Sequence, residues 1–214
     1  MNGFYPVVLQ LKGKRCVVIG GGTIAQRKLL GLLEAGADDV WAISPAFTQV
    51  IMEWAAAGKI RSRQGAYSAA DLHGAWLVFA ATDDRQVNEA VAADGVRLGI
   101  WVNAANESKS SSFISPSVVR RGDLLLSVTA SGASPALSQQ IKQKLAASYG
   151  PEYEHMVMQL RRLREHVRST ISDEQKRKTI LKLAADEIEQ PEHHSIDIDE
   201  WLQSLIHRTD RRHT

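Results

Sequence analysis

The first half of this chain is predicted to be α/β, a doubly wound parallel sheet, with a small α+β segment and a helical region after it. Three observations predict this. Short apolar runs alternate with amphipathic stretches as far as Asn103. A glycine triplet stands where the first run gives way to the first amphipathic stretch. Beyond Pro135 the apolar residues recur only at helical spacing.

In chain order, Arg15-Cys16-Val17-Val18-Ile19 reads as a buried parallel strand, because its apolar run is β-branched and unbroken. Gly20-Gly21-Gly22 follows, and then a helix from Thr23 to Glu34 with Ile24, Leu29, Leu30 and Leu33 at helical spacing, stopped by Gly36. Val40 to Ile43 is the second strand and Phe47 to Ala57 the second helix. Strands at Ile60 to Gln64 and Trp76 to Ala80 come next, then a helix from Asp84 to Leu98 and a strand from Ile100 to Asn103. Alternation of this kind implies parallel strands joined by crossover helices.

The pattern changes after Asn106. Glu107 to Ser112 is polar and serine-rich, hence a loop. Apolar segments Phe113 to Val119 and Leu124 to Thr129, joined by Arg120-Arg121-Gly122-Asp123, read as a hairpin or a crossover pair outside the main sheet. Ser134-Pro135 starts a helix as N-cap and first position, with Leu137, Ile141 and Leu145 on one face. Gly150-Pro151 separates it from a stripe of Tyr153, Met156, Val157, Leu160, Leu163 and Val167. Ser172 and Gln175 form a capping box for the next helix, which Pro191 ends. Ile198, Trp201, Leu202, Leu205 and Ile206 mark the last one.

Gly20-Gly21-Gly22-Thr23-Ile24-Ala25 fits G-x-G-x-x-A, and its place between a strand and a helix gives the match its weight. Gly20 permits the tight turn, Gly22 leaves room for a pyrophosphate, and Ala25 lets helix and strand pack closely. Backbone N–H groups at the helix start, from Gly21 to Ile24, would hold the anion. The first domain is therefore expected to be Rossmann-type and to bind NAD. The second strand ends in Ser44-Pro45 where an acidic residue usually meets the ribose, so charge does not decide between NAD and NADP. Thr82 and Asp83 follow the strand at Trp76 to Ala80 and should face the cofactor, whereas Asp84 caps the next helix. Asn103 ends a strand on the same rim, where it is either a cofactor ligand or a turn residue.

Composition narrows the partners. The chain has 214 residues, 44% hydrophobic and 23% charged, as ordinary globular proteins do. Cys16 is the only cysteine, which excludes an internal disulfide and fits a reducing, cytoplasmic setting. Met1 to Lys14 lacks the order of a signal peptide, and runs such as Ala75 to Ala81 are too short to span a bilayer. A net charge of +2 provides no general attraction to nucleic acid. No nucleic-acid or membrane partner is expected. His193-His194 lacks further ligands at metal-binding spacing, so no metal site is expected, and Arg208 to His213 reads as a solvated end.

Several ordered segments together resemble the siroheme synthase N-terminal family, the precorrin-2 dehydrogenases, some of which also act as sirohydrochlorin ferrochelatases. They are Tyr5-Pro6, Leu11-Lys12-Gly13, Val18 to Gly22, Ala25-Gln26-Arg27-Lys28, Leu33 to Ala37, Ala81-Thr82-Asp83-Asp84, Val102-Asn103, Phe113 to Pro116 and Gly132 to Leu137. The resemblance implies a Rossmann domain at 1–112, a dimerisation segment at 113–150 and a helical region at 151–214. It implies that NAD⁺ takes a hydride from a tetrapyrrole, with cofactor contacts at Thr23, Ile24, Ser44 and Pro45. Separately, the strand pair outside the main sheet leaves open edges unless a second chain covers them, so a homodimer built on 113–150 is expected.

Asn106 stands where the family often has a functional aspartate, and is the catalytic candidate, although an amide accepts no proton. Ala130 stands where the family has a serine, with Thr129 and Ser131 beside it. Ser131, Ser134 and Arg120 are the candidate substrate contacts. Precorrin-2 carries many carboxylates, and Arg27, Lys28, Arg121, Lys142 and Lys144 are further cations that could border its pocket. The alternatives are a bifunctional enzyme that also inserts iron or cobalt, and a non-catalytic NAD-binding module with the helical tail as a partner surface.

Overall fold

The computed structural model describes residues 3–105, 111–190 and 196–211. The chain divides into two compact units, Met1–Ser115 and Pro116–Thr214.

The first unit holds five parallel strands: β1 (Arg15–Ile19), β2 (Asp39–Ser44), β3 (Arg61–Gln64), β4 (Leu77–Ala80) and β5 (Trp101–Ala104). Their order is β3-β2-β1-β4-β5. The order reverses between β1 and β4, which opens a crevice at the carboxyl ends of those two strands. Alternate strand residues feed two cores. Cys16, Val18 and Ala42 pack with Leu29 and Leu32 of α1 (Thr23–Glu34) and Ile51 of α2 (Gln49–Ala56). Val17, Ile19 and Val78 pack with Leu72 and with Val91 and Ala92 of α3 (Arg85–Arg97). With both faces covered, the central strands are apolar throughout, as parallel strands require. The second helix begins at Gln49 because the Thr48 side chain accepts from the Ile51 N–H, capping it two residues later than the periodicity predicts.

Both edges of this sheet are protected. β3 is short and carries Arg61 and Arg63; Arg63 pairs with Asp71 of a short 3-10 turn at Ala69–Leu72 that the periodicity does not reveal. Along β5 the chain returns through Ser111 and Ser112. The Ser112 hydroxyl accepts from Val102 N at 2.7 Å and donates to Val102 O at 3.1 Å, and Ser111 Oγ accepts from Ala104 N at 2.9 Å. These two serines were expected in a loop; their side chains stand in for a sixth strand.

In the second unit, β6 (Ser117–Arg121) and β7 (Leu124–Val128) form an antiparallel hairpin closed by Gly122-Asp123. Gly122 has φ +54°, which a two-residue hairpin turn needs. The hairpin thus replaces the open choice between hairpin and crossover. Helix α4 (Pro135–Ser148) packs on both strands, and α5 (Glu152–Thr170) touches them too. Helices α5, α6 (Glu174–Glu187) and α7 (Ile198–Asp210) enclose Leu163, Val167, Ile180, Trp201, Leu202 and Leu205.

Two local expectations are corrected here. The α6 cap is Asp173, whose carboxylate accepts from Lys176 N at 2.7 Å, and not Ser172; a carboxylate one residue later competes successfully for the same amides. The basic end is not simply solvated: α7 continues to Asp210, Thr209 is buried, and Arg208 forks onto the buried Glu187 at 2.7 and 2.8 Å. Among the described residues no helix is long and apolar enough to cross a membrane, and no group of His, Cys, Asp and Glu could hold a metal ion.

Candidate functional site

The three glycines do different work. Gly20 has φ +133°, and a Cβ there would overlap the Ala81 carbonyl oxygen at the end of β4. A Cβ on Gly21 would overlap the Ala46 carbonyl oxygen and sit 2.8 Å from Ser44 Oγ. The turn is tied down by Gly20 N–H donating to Ile43 O at 2.8 Å and Thr48 N–H to Gly21 O at 2.9 Å. Gly21 and Ser44 are therefore neighbours, and Ser44 is buried at 9% exposure beside the turn, while Pro45 is exposed. A Cβ on Gly22 would meet nothing within 4 Å. Gly22 is the α1 N-cap and supplies no side-chain oxygen, so the first N–H groups of Thr23 and Ile24 have no capping partner. Open space over uncapped donors at a helix start fits the diphosphate of a dinucleotide. Ala25 is fully buried against the sheet, as close helix–strand packing demands.

Beyond β4, Thr82 and Asp84 are held internally. Thr82 N–H and Oγ1 both donate to Asn88 Oδ1, at 3.1 and 2.8 Å, and Asn88 Nδ2 donates back to Thr82 O at 2.9 Å. Asn88 is 3% exposed. It clamps the loop that borders the crevice, a role that periodicity does not expose, although a polar residue on the inner face of a helix is its signal. Asp84 caps α3 by accepting from Gln86 N and Val87 N, and Asp83 is left exposed on the rim.

Asn103 lies within β5 and is not a turn residue. Its Nδ2 donates to Phe113 O at 2.9 Å, which aims Oδ1 at Lys28 Nζ, 3.2 Å away. Lys28 also donates to Ser115 Oγ at 3.0 Å and stands over the Phe79 ring, 4.9 Å from its centre. Burial, reinforced by Arg27, lowers the Lys28 ammonium from its ordinary 10.5 to about 8. Of the candidate cations in this unit, Lys28 is the one drawn into the rim; Arg27 remains exposed.

The other candidates belong to the second unit. Arg120 is exposed on β6. Arg121 is committed elsewhere, donating to Tyr149 O at 3.0 Å and Ala146 O at 3.2 Å at the end of α4. Ser134 Oγ caps α4 by accepting from Leu137 N. Ser131 is exposed with φ +52°, a left-handed conformation costly for a residue with a side chain. Ala130 N–H donates to Ser138 Oγ at 3.1 Å, which fixes the loop before α4. Asn106, Glu107, His193 and His194 lie outside the described residues.

An NAD(P)-binding family model matches residues 7–117. The chain is 34% identical over 169 residues to a siroheme synthase of Nitrosococcus oceani, covering 79% of this chain and 36% of that protein. It is 38% identical over 151 residues to a siroheme synthase of Chromobacterium violaceum, covering 69% of this chain and 32% of that one. The chain thus spans about a third of the length of the curated relatives it matches. Among solved structures it is similar to SirC, a precorrin-2 dehydrogenase, with a TM-score of 0.77 and 28% identity, covering 94% of this chain and 98% of that one.

Proposed function

The chain belongs to the siroheme synthase N-terminal family of NAD(P)-binding proteins, and from that premise we propose that it oxidises precorrin-2 to sirohydrochlorin with NAD⁺. The observation that carries the reading is the uncapped helix start at Thr23 and Ile24, open above Gly22 at the strand-order reversal. Bound NAD⁺ supplies the hydride acceptor. The protein's share is to fix geometry, since hydride transfer depends on holding two rings in contact. In this reading the Gly20–Ile24 turn holds the diphosphate and Ser44 with Pro45 borders the adenosine ribose. The Thr82 loop, with Asp83 and Asn103, lines the nicotinamide side. Ser131, Ser134 and Arg120 serve the tetrapyrrole.

The catalytic candidate Asn106 orients rather than accepts a proton, because an amide has no basic site. Iron or cobalt insertion needs pyrrole deprotonation, so metal insertion by this protein should run no faster than the uncatalysed background. Asn106→Asp is the variant that should raise it. The chain works in the cytoplasm, which suits a lone, buried cysteine at Cys16. It works as a homodimer through the 113–150 segment: Leu137 and Ile141 on α4 are 48% and 36% exposed, and a second copy would cover them. Sedimentation at micromolar concentration should show the dimer, and a monomer there removes that part.

The decisive experiment mixes purified protein, precorrin-2 and NAD⁺ and follows the absorption spectrum. The sirohydrochlorin spectrum should develop with cofactor and not without it. No change at saturating NAD⁺ sinks the dehydrogenase, and saturable cofactor binding without turnover would make the chain a binding module.

A further inference from the structure

We infer that Lys28 is the receptor for one carboxylate of the tetrapyrrole, an inference that rests on the substrate class proposed above. Three neutral groups surround its ammonium: Asn103 Oδ1 at 3.2 Å, Ser115 Oγ at 3.0 Å and the Phe79 ring at 4.9 Å. They come from β5, from the coil after it and from β4. No carboxylate pairs with Lys28 among the described residues, and the one charged group acting on it is Arg27, of like sign, on its own helix. An ammonium normally loses water only in exchange for an anion. Here two neutral oxygens and a ring face hold it in place. Its third N–H is left without a protein acceptor among the described residues.

The position suits a ligand. Asn103 and Phe79 are cross-strand partners, one residue short of the carboxyl ends of β5 and β4. Lys28 lies on α1, little more than one turn from the Thr23–Ile24 amides. One helix therefore presents the diphosphate donors at its first turn and, at its second, a cation held against the rim by Asn103 and Ser115. The Nδ2 bond from Asn103 to Phe113 O fixes the amide so that its oxygen meets the ammonium, which holds Nζ at the rim.

A carboxylate settling on Nζ restores the charge that burial disfavours. Ligand binding at a pH above about 8 should therefore draw a proton onto Lys28. Binding should weaken as pH rises further, because the neutral amine attracts no anion.

The test is equilibrium titration with sirohydrochlorin, read by its absorbance, so that it does not depend on turnover. Lys28→Met should weaken binding about tenfold, and Lys28→Arg should recover most of the loss. A role in packing alone would lower thermal stability and spare sirohydrochlorin affinity. Equal affinity in all three proteins overturns the inference. So does a wild type that binds no sirohydrochlorin, or one whose binding shows no proton uptake in buffers of different ionisation enthalpy; this last measurement needs no variant to fold. The two readings fail separately. Unaltered binding in Lys28→Met alongside precorrin-2 oxidation by the wild type removes only Lys28. Lys28-dependent binding without any oxidation removes the dehydrogenase and keeps the receptor.

Discussion

Two cations, one in each unit, are held in opposite ways. Arg208 in the second unit meets a carboxylate with two parallel bonds, and the same Glu187 also accepts from Trp201 Nε1 at 2.7 Å. Glu187 raises the guanidinium's affinity for its proton still further, chiefly through those bonds. Lys28 in the first unit meets only an amide oxygen, a hydroxyl and a ring, and burial lowers its affinity. One cluster completes itself and serves the fold. The other is incomplete within the described residues, as a binding site is before its ligand arrives.

The comparison can be broken or sharpened by substitution. The largest effect should come from the glycine turn. Gly21→Ala drives a methyl into the Ala46 carbonyl and should cost about 3 kcal/mol or more, seen as a lowered urea midpoint. Gly22→Ala meets open space, so it should leave stability within about 0.5 kcal/mol while weakening NAD⁺ about tenfold. A matching loss of stability at Gly22 would mean the turn serves packing alone.

Glu187→Ala comes next. It removes the carboxylate that accepts from Trp201 Nε1 and from the Arg208 fork, and should destabilise by about 2 kcal/mol, with NAD⁺ affinity unmoved. A change in cofactor affinity would break the distinction between self-satisfied and ligand-facing clusters. Asn88→Ala tests the intermediate case, a structural clamp at a functional rim. Leaving the Thr82 amide unpaired should cost about 1–2 kcal/mol and also weaken NAD⁺ severalfold by calorimetry.

The smallest effect is at Lys28. Its folded pKa of about 8 lies below the ordinary 10.5, so between those values the unfolded chain binds the extra proton and stability rises with pH. The cost is fully present below about 8. Lys28→Met should therefore be neutral or slightly stabilising at pH 7, within about 1 kcal/mol, and should lose that rise. Cys16 acts oppositely: burial, then Asp39 and Asp38, push its thiol from 9.0 to about 11, so stability falls across that window. The difference between wild type and Lys28→Met, followed by urea melts across the alkaline range, isolates the lysine.

Much of this was legible in the residues because it rests on local rules. An unbroken β-branched run gave β1, a continuous apolar run gave β4, and Gly20 to Ala25 marked the dinucleotide turn by its place between strand and helix. Ser134-Pro135 showed the start of α4 through cap chemistry. What escaped depends on distant partners. The ties of Lys28 to Asn103 and Ser115 span 75 and 87 residues. No periodicity signals such a meeting, and a lysine on an amphipathic helix reads as surface. Arg208 was read as solvated for the same reason, since Glu187 reaches it across 21 residues. Asn88 is a subtler case: its amide satisfies a loop six residues earlier, and only its burial shows it is not a surface polar group.

The pair of serines lying along β5 has a consequence for how this protein behaves in a crowded solution. With the Val102 and Ala104 backbone groups already answered by hydroxyls, a stray polypeptide finds no ladder there to extend. Exchanging Ser111 and Ser112 for alanine would free the Val102 and Ala104 amides, while Ser112 N–H still meets Val102 O at 2.8 Å, and the partly opened edge should show as thioflavin-positive aggregates on prolonged storage.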